Sequence, residues 1–251
     1  MKVLIATPTV QGTVTSAYAR TLVSLTQCLG GLGAAYAFMT IDNADVISAR
    51  NLLAHAFMQD DSFTHLLFID SDMAVQPAVM HRLFALQAPI AGVAYPQRRL
   101  DLNIFAQAVR DDKELEQAKA VASTFTLRLS RGRKQVRDNI MEVEGLGFGF
   151  VLMEKNLMKR LVAAGLARPM SLERFGQTDL VGEMHDFFSE LTDADGGRLA
   201  EDHAFCERVR LLGDTPVLAY IGPGVGHVGQ FIHDAAFVDR LRAMTRDVDG
   251  R

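Results

Sequence analysis

The chain has no tryptophan and two cysteines in 251 residues. Cys28 and Cys206 lie far apart, near the start and the end, which fits neither a disulfide framework nor a zinc site. They read as core thiols of a reduced compartment. A basic excess is missing too. The 26 Lys and Arg residues are outnumbered by 30 Asp and Glu, for a net charge of −4. That excludes the overall electrostatic footprint of a nucleic-acid binder. An anionic ligand would need a metal ion or a local cation to receive it. No apolar run approaches the roughly 18 residues of a membrane span, and Met1–Lys2 leads straight into the strand-like VLIATPT. The expectation is a soluble, cytoplasmic chain without a membrane anchor of its own.

Several catalytic signatures are also missing. There is no G-x-x-x-x-G-K loop and no G-x-S-x-G elbow. Gly224–Gly229 spells G-x-G-x-x-G, but no room remains downstream for the βαβ unit such a loop needs. No internal repeat and no Pro/Ser-rich linker divide the chain.

What is present is apolar and ordered. Apolar residues make up 49% of the chain, enough for a sizeable core. Over the first 96 residues, strands alternate with helices. The strands are KVLIA, AAYAFMTI, HLLFI and PIAGVAY; the helices are expected over 16–29, stopped by Gly30 and Gly31, over 46–58 behind an Asp45 N-cap, and after Pro77. The strands are continuous apolar runs, which predicts an α/β fold with a mostly parallel sheet covered on both faces. Further on, 110–139 is charge-rich and expected to be a strand and a long polar turn. Residues 140–153 read as one strand with three glycines, followed by helices near 154–164 and from Glu201, a strand VLAYI and a terminal helix. The domain reading is one domain with a soft division: a nucleotide-binding half over 1–96 and an acceptor-side half over 97–251.

In such sheets ligands bind beyond the carboxyl ends of the strands. Thr7-Pro8-Thr9, Asp42-Asn43 and Asp70-Ser71-Asp72 all sit there. In FIDSDM, Asp70 and Asp72 are two apart in an extended chain and point the same way. Their hard oxygens suit Mg or Mn; the plainer reading is a turn. Arg50 and Asn51, in ISARN, offer a planar phosphate-binding fork or simply a solvated helix face. Glu201 and Asp202 open a helix, where acidic residues oppose the dipole or serve as a general base. His227, in GHVG, is structural or a third metal ligand. The cluster Arg128, Arg131, Arg133, Lys134 and Arg137 is a solvated turn or a surface for an anionic acceptor or lipid.

Taken in order, TPT, SARNLLAHAF, THLLFIDSDM, AGVAYPQR, VEGLGFGFVLM, FFSEL, AEDHAFCERVRLLG and GHVG resemble a GT-A glycosyltransferase over residues 2–230, closer to the inverting, family-2-like enzymes. The resemblance implies a Rossmann-like nucleotide-sugar fold and a divalent cation, Mn or Mg. Its donor would be a nucleoside-diphosphate sugar, with uridine the preferred base. Thr7, Pro8 and Thr9 would border the nucleoside and Asp42 the base or ribose, with Arg50, Asn51 and Ser71 also on the nucleotide. Asp70, Asp72 and His227 would hold the metal. Gly147, Phe148 and Gly149 would wall the donor and acceptor site, with His185, Phe187 and Phe188 near the acceptor. Asp202, beside Glu201, would be the base. With no tryptophan, Phe187 or Phe188 must supply any sugar platform. The acceptor (carbohydrate, lipid-linked or protein) and the oligomeric state stay open, and no nucleic-acid partner is expected.

Three rivals remain. A haloacid-dehalogenase-type phosphatase would carry its Asp pair after the first strand and Thr or Val where Ala74 stands. A sugar nucleotidyltransferase needs a glycine-rich loop after the first strand, where only Gly12 is found. A non-catalytic nucleotide or sugar binder shares every feature of the fold.

Overall fold

The computed structural model describes residues 1–129, 135–171, 182–229 and 232–246. In chain order the elements are β1 (Lys2–Thr9), α1 (Ser16–Gly31), β2 (Ala35–Asp42), α2 (Val46–Gln59), β3 (His65–Ile69), β4 (Met73–Val75), α3 (Pro77–Ala85), β5 (Ile90–Val93), β6 (Pro96–Leu100), α4 (Leu102–Arg110), α5 (Leu115–Ala122), β7 (Ser123–Phe125), β8 (Leu127–Arg128), β9 (Val136–Arg137), β10 (Ile140–Val143), β11 (Gly145–Leu146), β12 (Phe150–Glu154), α6 (Lys155–Ala163), β13 (Arg168–Met170), β14 (Met184–Asp186), β15 (Leu191–Thr192), β16 (Arg198–Leu199), α7 (Glu201–Arg210), β17 (Val217–Tyr220), β18 (Val225–Val228), β19 (Ile232–His233) and α8 (Phe237–Arg246).

The expected α/β class is what the chain adopts. A central sheet of eight strands runs β2-β1-β3-β12-β5-β17-β10-β9. Six strands point one way; β12 and β10 run against them. The apolar strands are continuous because alternate residues feed two cores. Leu4, Ala6, Leu66 and Phe68 join α2, α6 and α7 on one face. Val3, Ile5, Leu67 and Ile69 join α1 and α3 on the other. Strands from both sides of residue 96 interleave in this one sheet.

Some expectations change. The strand β2 is an edge, with Tyr36 45% and Phe38 47% exposed, so its apolar run is not sandwiched. The helix α1 runs through Gly31, and Gly33, at φ +64°, makes the left-handed turn instead. Residues 140–153 are not one strand. The edge strand β10 pairs with β17, β11 pairs with β8, and β12 inserts between β3 and β5. The charged middle follows α4, which is capped by the Asp101 carboxylate on the Asn103 and Ile104 N–H groups, and contains α5, whose Ala118, Ala120 and Ala122 are buried. Of its basic cluster, Arg128 is paired with Asp193 at 3.1 Å and with Glu144 at 3.6 Å, and Arg137 is exposed beside Asp138. Arg131, Arg133 and Lys134 lie outside the described residues. Among the described residues no helix is long and apolar enough to cross a membrane.

Candidate active site

The site forms where β3 ends. Phe150 of β12 pairs with Ile69, so the next residues also meet: Asp70 N–H donates to the Gly149 carbonyl at 3.0 Å. The Met73 N–H closes a turn on the Asp70 carbonyl at 3.1 Å, and the chain enters β4. The short strand β4 is what recruits His227. It pairs with β18 so that Met73 faces His227, and Val228 N–H donates to the Asp72 carbonyl at 2.9 Å. Two threonines of the α1 region fix this turn. Thr15 donates its N–H to the Ser71 carbonyl at 2.9 Å, and Thr21 Oγ1 receives the Val75 N–H at 3.0 Å.

His227 Nε2 therefore stands 3.2 Å from Asp72 Oδ2, while its Nδ1 is 3.1 Å from the Pro96 carbonyl. A carbonyl only accepts, so Nδ1 carries the proton. Nε2 then faces a carboxylate oxygen, a contact met by a proton on Nε2 or by positive charge alongside. Arg98 supplies it, with NH1 3.0 Å from the same Oδ2. Tyr95 presses edge-on against His227, with the ring centroids 5.2 Å apart. Its hydroxyl accepts the Gly149 N–H at 3.1 Å.

Arg50 organises the other half. The side chain is buried in α2, and its NH2 lies 3.0 and 3.3 Å from the two oxygens of Asp70 and 3.9 Å from Glu201. The rest of the guanidinium faces rings: its carbon is 5.7 Å from the Phe68 centroid and 5.4 Å from that of Phe148, and Nε and NH1 make no hydrogen bond among the described residues. Burial pushes the Asp70 and Glu201 carboxyls up, and Arg50 opposes the rise without cancelling it. Glu201 is thus turned to Arg50, whereas Asp202 accepts the His203 N–H at 2.7 Å in the first turn of α7.

The expected metal trio is only partly gathered, because the buried Arg50 takes Asp70 and leaves Asp72 with His227. Among the described residues no group of three or more His, Cys, Asp or Glu is close enough to hold a metal ion. The donor set nevertheless suits a divalent cation. A separation of 3.2 Å between Asp72 and His227 is close to that of neighbouring ligands around an ion at roughly 2.1 Å. The Nδ1–H bond to a carbonyl is the usual second contact of a metal-binding histidine.

Other expected site residues are placed differently. Gly147 and Gly149 pack on Tyr95 instead of walling an open space: a Cβ at Gly147 would lie 2.5 Å from the Tyr95 hydroxyl, and one at Gly149 2.7 Å from its ring. Phe148, Phe187 and Phe188 are at most 1% exposed; Phe148 and Phe188 pack against Phe68 and Phe205 in the core and Phe187 against His185, so they offer a sugar no platform. Asn51 is consumed by structure. Its Nδ2 donates to Asp186 at 3.0 Å and its Oδ1 accepts the Phe187 N–H at 2.9 Å. Thr7 is buried on the Tyr18 hydroxyl at 2.6 Å, and Thr9 donates to the Ile41 carbonyl at 3.4 Å. Pro8 lies between them, half-buried, and Asp42 is exposed at the end of β2, in register with Thr9. His185 is half-buried in β14, 4.0 Å from Glu183. Tyr95 and Arg98 were not singled out in the sequence; the signal was an aromatic and two arginines, in YPQRR, directly after a buried strand.

No family model matches the chain, and no curated protein matches it. Among solved structures it is similar to A197 from STIV, at 14% identity and a TM-score of 0.46, over 91% of this chain and 86% of that one. It is also similar to a glycosyltransferase involved in the glycosylation of the major capsid of PBCV-1, at 9% identity and a TM-score of 0.32, over 66% and 67% of the two chains. A CMP:2-keto-3-deoxy-manno-octonic acid synthetase complexed with CTP follows at 10% identity and a TM-score of 0.37, over 98% and 99%. Likeness at this level does not reach the chemistry of the site, which rests on its own geometry.

Proposed function

We propose that the chain is a glycosyltransferase that moves a sugar from a nucleoside-diphosphate donor, a UDP-sugar first, to a hydroxyl acceptor by inverting single displacement, with Mn or Mg as cofactor. The observation that carries this reading is the Asp72–His227 pair, whose facing oxygen and nitrogen are spaced to share a cation, at strand ends where such donors bind. Charge supports it. Asp70, Asp72, Glu201 and Asp202 outnumber the guanidiniums of Arg50 and Arg98 by two, which a divalent ion would balance.

Asp72 and His227 would hold the ion, with Asp70 adding negative charge beside them. When bound, the ion offsets charge on the departing diphosphate. The protein's own groups do the rest. Asp202 takes the proton of the acceptor hydroxyl as that oxygen bonds to the anomeric carbon. The bond from that carbon to the diphosphate oxygen breaks, and its electron pair leaves with the diphosphate. Glu201, held by Arg50, stays out of the proton transfer. Thr9, Asp42 and the Asp70–Asp72 turn border the nucleoside side.

Thermal unfolding with a panel of nucleoside diphosphates, each with and without Mn, tests this. A ligand that binds the native state alone raises the melting temperature. The expected result is a rise with one diphosphate that requires Mn. A rise indifferent to metal removes the roles of Asp72 and His227. No rise at millimolar ligand overturns the reading in favour of a phosphatase or an unrelated binder.

A further inference from the structure

Three groups share one oxygen. Asp72 Oδ2 is 3.2 Å from His227 Nε2 and 3.0 Å from Arg98 NH1. Arg98 follows Pro96 by two residues on β6, and Pro96 is the residue whose carbonyl fixes the His227 ring. Arg98 is therefore rooted where the histidine is oriented. Its stem is confined by the chain at Gly229, where an added Cβ would sit 3.3 Å from Arg98 Cβ and Cδ. Its head is open, with 56% of the side chain exposed. Arg50, the other guanidinium of the site, is 4% exposed and fixed between carboxylates and rings.

We infer that Arg98 holds the place of the metal ion in the free protein and becomes a ligand of the donor's diphosphate when the ion binds. This deepens the proposed function and rests on it. A divalent ion and a guanidinium on the same carboxylate oxygen repel each other. The ion must therefore displace Arg98 from Oδ2. The displaced fork has a long, solvated side chain to move on, and it prefers planar oxyanions such as phosphate, which it can bind with two parallel N–H bonds. A diphosphate bound beside Asp72 would meet a guanidinium already 3.0 Å from that carboxylate. Arg98 thus weakens the binding of metal alone and strengthens the binding of metal with diphosphate. It would also deter the site from taking up ions in the absence of donor.

The two effects have opposite signs, which a structural role would not produce. Mn affinity is measured by the EPR signal of free Mn during titration with protein, and uridine diphosphate affinity by calorimetry at saturating Mn. For Arg98→Ala, Mn alone should bind several-fold tighter, and the diphosphate about tenfold weaker, the loss of one charge-assisted contact. Arg98→Lys, which keeps the charge but not the fork, should keep the weak Mn binding and still lose diphosphate affinity. Unchanged or weaker Mn binding in Arg98→Ala overturns the inference, as does undiminished diphosphate binding. A wild-type protein that binds no Mn even with uridine diphosphate present, and an Arg98→Ala variant that binds none either, fail differently: they remove the metal reading itself, and the inference with it.

Discussion

Arg50 and Asp70 form an ion pair in which 4% of the arginine side chain and 25% of the aspartate side chain are exposed, at 3.0 Å, beneath the proposed metal ligands. The pair joins α2 to the end of β3, and through Glu201 it reaches α7. One buried cation, at position 50, thus reaches a carboxylate at position 201 of the sequence.

Removing that cation should leave Asp70 and Glu201 uncompensated. Arg50→Met is expected to destabilise the fold by about 3–5 kcal/mol, the cost of breaking a buried pair by removing one partner. Urea unfolding measures it, and a loss under about 1 kcal/mol would mean that the carboxylates are solvated or neutral.

Glu201 gives a pH-dependent prediction. Burial raises its carboxyl in the folded state, against the pull of Arg50. A raised acid favours folding most when protonated, so its contribution is fully present below the unfolded value and is lost as pH rises through the folded one. Glu201→Gln should therefore be more stable than wild type near pH 8, with the difference shrinking as pH falls toward about 4, the range of an ordinary glutamate. Melting temperatures of both proteins across that range decide it; a variant less stable at pH 8 would contradict the assignment.

Gly149 is needed for close approach. An added Cβ would meet the Tyr95 ring at 2.7 Å and Met73 Sδ at 2.8 Å. Gly149→Ala should cost about 1–3 kcal/mol through overpacking. It should also disturb the Asp70 N–H bond to the Gly149 carbonyl. A thermal midpoint equal to that of wild type would show that Tyr95 can move aside.

The two carboxylates with proposed chemical roles separate by phenotype. Asp202→Asn should abolish transfer while donor binding persists. Asp72→Asn should lose the Mn-dependent part of donor binding. Donor-sugar consumption and calorimetry with donor measure the two. Wild-type turnover in Asp202→Asn would take the base role from that residue, and unchanged Mn-dependent affinity in Asp72→Asn would take the metal from the other.

Much of the frame was legible in the chain. The alternating apolar strands and helices of the first 96 residues are local signals, and β3, α2 and α3 lie where their periodicity, caps and Pro77 place them, whereas β1 runs past KVLIA so that Thr7, Pro8 and Thr9 pair with β2 instead of forming a loop. The Asp70–Asp72 turn, Glu201 and His227 stood out as polar groups at element ends and Arg50 as a cation within a helix, and the fold brings them near one another. Three-residue β4 was not legible, because so short a run carries no periodicity, yet its pairing with β18 sets His227 on Asp72. Gly147 and Gly149 looked like a wall of the site because sequence cannot show what fills the space beside them, which is Tyr95. Phe187 and Phe188 looked available for a ligand, but apolar rings are buried wherever partners exist: Phe68, Phe148 and Phe205 for Phe188, and His185 for Phe187.

The sequence alone determined the α/β class and the stock of acidic, basic and histidine groups, because periodicity, capping and residue chemistry act over a few neighbouring positions. Only the tertiary structure decided which of those groups face each other. Arg50 took Asp70, Asn51 took Asp186, and Arg98 took Asp72, since which charge meets which depends on strand order, register and burial over distances that no local pattern encodes.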